Sequence, residues 1–358
     1  MTFTGLKPEY IHVQFADQEA DLIRYRLGQG EPRALIMAGV HGREHGGVQA
    51  AYELLERLAA MPLRRQIDIL PVCNPIAYAA ESRFTPHSER NMSLAFTSGP
   101  PRDLTEALSQ AVLALAEGTE IVLNLHSAGS ARYLPHVMFY RPQDAEWAAS
   151  LGLSFAIMPC GLDDMPDHIA ARLQPEQRTV TLELGGGIVA YPEDVAVGVE
   201  AALALLGRSD FLEPGDYGYE GREPTPPELI YMYDARIFVR APAEGAFYTQ
   251  ARLGADFSQR EPFGFWVPLD GLQPQPVLCP ELVEGLAPEA GKLSRSQKLT
   301  ADCQIRCQPA GFGNPAGANC DLLKLIYLRT RNRVSQGETL AMFLPHQSDE
   351  ERRNGICL

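Results

Sequence analysis

Short apolar runs alternate with amphipathic stretches through the first 210 residues of this 358-residue chain. Residues 34–38 (ALIMA), 67–72 (IDILPV), 121–125 (IVLNL) and 179–184 (TVTLEL) are brief and leucine-rich or β-branched. Each is bounded by Gly, Pro or Asn. Runs of this kind predict buried strands. Between them, residues 47–60 place Val48, Ala51, Tyr52, Leu55 and Leu58 on one face at helical spacing. Residues 104–116 and 194–206 repeat that spacing, the latter behind Pro192 and Glu193, a helix-start signal. Strands alternating with helices predict an α/β fold with a largely parallel sheet. Its chemistry would gather at the carboxyl ends of the strands.

The pattern changes near Asp210. Residues 211–228 hold Pro214, Gly215, Gly218, Gly221, Pro224, Pro226 and Pro227 and read as a linker. Beyond it, short strand candidates at 235–240 and 322–328, Gly turns and no long helical pattern predict a small all-β domain. The expected organisation is a catalytic domain at 1–210, a linker at 211–228 and a β domain at 229–358. Residues 271–320 are rich in Pro and Gly, lack periodicity and contain Cys279, Cys303, Cys307 and Cys320. They read as an insertion in the β domain, partly disordered. Cys303-x3-Cys307 is a loose match to zinc-ribbon spacing, and no second paired Cys-x2-Cys accompanies it.

Composition narrows the setting. A hydrophobic fraction of 45% and a charged fraction of 21% are ordinary for a folded protein. The net charge of -14 argues against nucleic acid as a partner, but leaves room for an anionic small molecule held by local arginines. The first residues lack the basic and apolar blocks of a signal peptide. No apolar run approaches the ~20 residues needed to cross a bilayer. Seven cysteines without scaffold spacing fit a reducing compartment. The expectation is a cytoplasmic protein with a small-molecule substrate and no membrane partner.

Candidate chemistry sits at two strand ends. The segment from Met37 to Gly47, MAGVHGREHGG, follows a strand and runs into a helix, so His41 and Glu44 share a turn. An imidazole and a carboxylate three residues apart there can reach one metal ion. A third ligand from another strand end, His126 in LNLHS, would leave a position open, as a catalytic zinc site requires. Alone, His-x-x-Glu is a common surface pair; the strand-end context shared with His126 turns the reading toward metal. Glu183, flanked by apolar strand residues in TVTLELGGG, would be costly to bury without a purpose and reads as a general base.

Four ordered blocks carry a family resemblance: AGVHGREHGGVQA, CNPIAYAAESRFTPHSERNMSLAF, NLHSAGSARYLPHV and TVTLELGGG. In these the chain resembles the succinylglutamate desuccinylase/aspartoacylase family, which is zinc carboxypeptidase-like. The resemblance implies a mixed, largely parallel sheet flanked by helices, with a small C-terminal barrel-like β domain. APAEGAFY and LIYLRTRNRVSQGETLAMFLP look like the two halves of that barrel. It also implies one Zn2+ per chain on His41, Glu44 and His126, with Glu183 as base and Arg83 polarising the scissile carbonyl. Asn74-Pro75 matches a structural turn in the site wall. Family members often assemble, so a homo-oligomer is a further expectation.

Two departures bear on specificity. Where the family commonly shows Asn-Arg before a small residue and Phe, this chain has Ser93-Leu94-Ala95-Phe96. A leucine cannot make the bidentate guanidinium contact to a carboxylate. Arg90 or Arg132 would have to take that role, unless the substrate is neutral there. Asn91, Ser93 and Tyr248 are further candidate substrate contacts. The second departure is Asn124, where the family often has Asp two residues before the zinc histidine.

The reaction expected is hydrolysis of the amide bond in a small N-acylated amino acid or amine. A zinc carboxypeptidase or amidohydrolase acting on a peptide-like substrate shares this machinery, but the lost Asn-Arg pair counts against a free C-terminus. A non-catalytic zinc- or ligand-binding relative is disfavoured, because both candidate catalytic groups and all three ligands are present.

Overall fold

The computed structural model describes residues 6–88, 90–129, 131–149, 151–153, 155–158, 162–186, 188–213, 229–232, 237–241, 243–269, 273–279, 322–329, 333–334 and 339–345. The chain divides into two compact units, one of Met1–Ser130 with Pro135–Ile230 and one of Ala131–Leu134 with Tyr231–Leu358.

The strands up to Met232 are β1 (Glu9–Phe15), β2 (Gln18–Leu27), β3 (Arg33–Ala38), β4 (Ile67–Leu70), β5 (Thr119–Ala128), β6 (Ala131–Tyr133), β7 (His136–Phe139), β8 (Phe155–Met158), β9 (Arg178–Gly186) and β10 (Leu229–Met232). All but β6 form one sheet in the order β1-β2-β4-β3-β5-β9-β7-β8-β10. Its central strands β4, β3, β5 and β9 run parallel, and an antiparallel hairpin, β1–β2, extends one side. The helices are α1 (His45–Ala59), α2 (Pro75–Ala79), α3 (Leu104–Ala116), α4 (Ala145–Ala149), α5 (Ile169–Arg172) and α6 (Pro192–Arg208).

The side chains of β3 show why the central strands read as unbroken apolar runs. Ala34, Ile36 and Ala38 pack into one core with α1 and α6, whereas Leu35 and Met37 pack into another with α3. A strand buried on both faces has no polar side to alternate with. The β1–β2 hairpin does alternate: Val13 is buried while Tyr10, His12 and Gln14 are exposed. Polar residues interspersed among the apolar ones leave these two strands without the unbroken apolar run that marks the central ones.

Helix α1 crosses directly over β5, and Gly47 permits it. A Cβ at Gly47 would lie 2.5 Å from the Leu125 carbonyl oxygen and 3.2 Å from the His126 nitrogen. Gly47→Ala is therefore expected to push α1 off the strand next to His126. A loss of roughly 1–3 kcal/mol by chemical denaturation is expected. A variant as stable as wild type would show that the helix approach is not tight.

In the second unit, β6 pairs with β16 (Leu322–Arg329), whose sheet also holds β11 (Ile237–Arg240), β13 (Asp256–Ser258) and β18 (Thr339–Pro345). A second sheet has the order β15 (Gln275–Leu278), β14 (Pro262–Pro268), β12 (Gly245–Thr249), β17 (Arg333–Val334). Phe247, Phe257, Phe263 and Phe343 fill the core between edge-to-face neighbours 5.2–6.1 Å apart. Two features depart from the sequence reading. Residues 131–134 add a strand to this unit although they lie far upstream, and 275–278, within the stretch read as an insertion, pair with β14. Most of that stretch, with Cys303, Cys307 and Cys320, and most of the 211–228 linker lie outside the described residues.

Candidate metal centre

Parallel register brings the chemistry together. Ala38 at the end of β3 pairs with Leu125 in β5, so the turn after β3 and His126 occupy one edge of the sheet. That turn is pinned from behind: the N–H groups of Cys73 and Asn74 donate to the carbonyls of Ala38 and Gly39 at 2.8 and 2.9 Å. Asn74 is itself buried. It caps α2 by accepting from the Ala77 N–H at 3.1 Å, and it donates to Thr85 Oγ1 at 3.1 Å. Asn74 and Pro75 thus open α2 behind that turn.

His41, Glu44 and His126 are all buried. One oxygen of Glu44 lies 2.7 Å from His41 Nδ1, and the other lies 2.7 Å from His126 Nδ1. The two rings meet edge-on with centroids 5.1 Å apart. Burial alone would raise the Glu44 carboxyl; the two imidazoles overcome that and hold it well below the usual carboxylate range. Glu44 also precedes α1, where a negative charge meets the positive end of the helix dipole.

The donor set fits zinc. Two imidazole nitrogens and a carboxylate oxygen, ligand types that zinc takes, lie within 4.8 Å of one another. Three protein ligands leave a fourth position for water or substrate. The adjacent His45 does not join them: it opens α1 and its ring lies 5.3 Å from that of Tyr78.

Around this centre the candidates separate. Glu183 is half-buried, and its register partners are His126 on one side and His136 on the other. Paired residues on adjacent strands share a face of the sheet, so the three form one row. Arg83 donates from its guanidinium to Glu44 at 3.0 Å and remains partly exposed. His41 Nε2 lies 2.8 Å from Asn91 Oδ1 and 3.2 Å from Ser93 Oγ. Arg90 is engaged elsewhere, by Asp103 at 2.7 Å and Glu106 at 3.2 Å. Leu94 is exposed. Arg132 and Tyr248 lie in the second unit, where Tyr248 stacks on Phe265 at 5.2 Å.

Two observations lay beyond the sequence reading. Asn124 is buried with its Oδ1 unpartnered among the described residues, so that oxygen orients no described ligand. His168 is buried, caps α5 through Nδ1, and is pushed down to about 4 by burial and then by His126. It therefore stays neutral near the centre. The contact of Asn91 with His41, 50 residues away in the chain, has no local signature in the sequence.

Comparison with known proteins bears on the same region. A family model, the succinylglutamate desuccinylase/aspartoacylase catalytic domain, matches residues 30–208. The N-alpha-acetyl-L-2,4-diaminobutyric acid deacetylase of Halomonas elongata is 30% identical over 247 residues, covering 65% of this chain and 70% of that protein. Among solved structures, the succinylglutamate desuccinylase/aspartoacylase from Rhodobacter sphaeroides superposes with a TM-score of 0.69 at 17% identity, covering 96% of each chain. The product-bound ectoine utilization protein EutE (DoeB) from Ruegeria pomeroyi gives 0.68 at 18% identity, covering 97% of this chain and 100% of that one. At those identities the two structures speak to the fold, which is the zinc carboxypeptidase-like architecture with its added β unit.

Proposed function

The chain belongs to the succinylglutamate desuccinylase/aspartoacylase family, and on that premise we propose that it is a zinc-dependent hydrolase of the amide bond in a small N-acylated amino acid or amine. The observation that carries the reading is the buried approach of His41 and His126 to the two oxygens of Glu44, each at 2.7 Å. Zinc held by these three residues would supply a Lewis acid for the amide carbonyl and acidify the attacking water.

The remaining roles fall to the chain's own residues. Glu183, in the row beside His126, takes a proton from the attacking water and later returns it to the departing amine. Arg83, already directed at the ligand carboxylate, shares the charge that develops on the carbonyl oxygen. A donor in that position is worth about 10²–10³ in rate. The amino end of α1 adds a modest positive potential.

Substrate class follows from what the turn at residues 92–94 lacks. Leu94 offers no guanidinium, and Arg90 is held by two carboxylates. The substrate is therefore a small N-acyl compound whose recognition does not depend on an arginine in this turn. The activity of the Halomonas relative makes an N-acetylated diamino acid the first compound to test. A cytoplasmic location belongs to the same reading; no helix among the described residues is long and apolar enough to cross a membrane.

The test is amine release from a panel of N-acylated amino acids and their carboxamides, with a chelator and with zinc restored. Turnover that the chelator stops and zinc restores is the expected result. Turnover indifferent to metal would overturn the mechanism.

A further inference from the structure

We infer that the second unit carries a ligand site of its own, for a small carboxylate with a flat apolar body, in the groove between β12, β14 and the loop that bears Arg252.

The groove has a volume of about 810 Å3, within the range of small-molecule sites. Phe257 and Phe263, buried members of the unit's core, form part of its lining and hold it in place. Tyr248 and Phe265 also line it, directly opposite one another in the β12–β14 ladder. Their rings stack with centroids 5.2 Å apart and planes 20° apart, and both side chains remain exposed. The outward face of an antiparallel sheet is ordinarily polar. Two exposed rings here instead offer aromatic faces to a flat partner.

The charge of the groove is opposite to that of the chain. The sequence carries a net charge of -14, yet the lining holds one arginine and no acid. Arg252 is exposed, and its guanidinium makes no hydrogen bond or ion pair among the described residues. Glu261, next to the lining residue Pro262, is engaged by the Ser258 N–H at 2.8 Å. The loop around Arg252 is fixed on both sides. Thr249 Oγ1 accepts from the Ala251 N–H at 2.9 Å, and the Arg252 carbonyl accepts from the Ala255 N–H at 3.1 Å. The Gly254 N–H donates to the Leu325 carbonyl at 2.8 Å. A guanidinium recognises a carboxylate through two parallel N–H donors. One such cation overrides the repulsive field of the chain locally, while the aromatic pair takes the body of the same molecule.

Three probes separate the two halves of the site. Phenylacetate has the carboxylate and the ring, phenylacetamide keeps only the ring, and acetate keeps only the charge. Binding to the full chain would be followed by isothermal titration calorimetry, on zinc-loaded protein and again after a chelator. One phenylacetate per chain is expected in both, with the other two probes weaker. Arg252→Ala is expected to weaken phenylacetate at least about tenfold without moving the unfolding midpoint. Phe265→Ala is expected to weaken it about 2- to 10-fold. Absence of binding to wild type would overturn the inference, as would equal binding of phenylacetamide. Binding lost with the metal and kept in Arg252→Ala would place the acid at the metal centre instead. A wild-type dimer in sedimentation that Phe265→Ala dissociates would assign the groove to a second copy of the chain, again overturning the inference.

Discussion

His126→Ala is expected to abolish stoichiometric zinc binding and, with it, turnover. His126 lies near the end of β5, buried and 2.7 Å from one oxygen of Glu44. Removing it leaves one imidazole and one carboxylate, fewer than the three protein ligands a catalytic zinc site holds. Two neighbouring histidines are engaged elsewhere: His168 Nδ1 accepts from the Ala170 N–H, and the His45 ring lies against Tyr78. The loss should also register without metal, because Glu44 would keep a buried negative charge with one compensating ring fewer. Metal analysis after dialysis against trace zinc is the measurement. A variant that still holds one zinc per chain would sink the ligand assignment.

Glu183→Gln should leave zinc in place and reduce kcat by about 10²–10⁴-fold, the usual worth of a positioned general base. The amide is nearly isosteric, so the row His126–Glu183–His136 across β5, β9 and β7 should persist. What changes is proton affinity: a glutamine cannot accept the proton from the attacking water. KM should move much less than kcat, since the residue acts on water rather than holding substrate. Steady-state kinetics with metal content determined on the same sample decides the matter. Near-normal turnover would remove Glu183 as the base, and loss of zinc would make it a ligand instead.

The two variants are informative together. A chain that loses metal in the first and keeps it in the second assigns binding and proton transfer to different side chains on neighbouring strands.

Much of this architecture was legible in the primary structure. Residues 34–38, 67–72, 121–125 and 179–184 read as strands because both faces of those strands are buried, which leaves an apolar signature needing no partner to be seen. Helices α1, α3 and α6 declared themselves by an apolar stripe at helical period. The strand ends then pointed to His41, Glu44 and His126, because polar groups at or just past the carboxyl ends of parallel buried strands gather at one edge of the sheet.

The three-dimensional structure alone decided which polar groups meet. That Asn91 supports His41, that Arg90 is consumed by Asp103 and Glu106, and that residues 131–134 join the β unit are long-range pairings with no local signature. The contrast has a physical cause. Burial and helical period are properties of a segment and its solvent, so they are written into consecutive residues. A hydrogen bond between residues 50 apart depends on the register of every strand between them, and register is settled only when the sheet assembles.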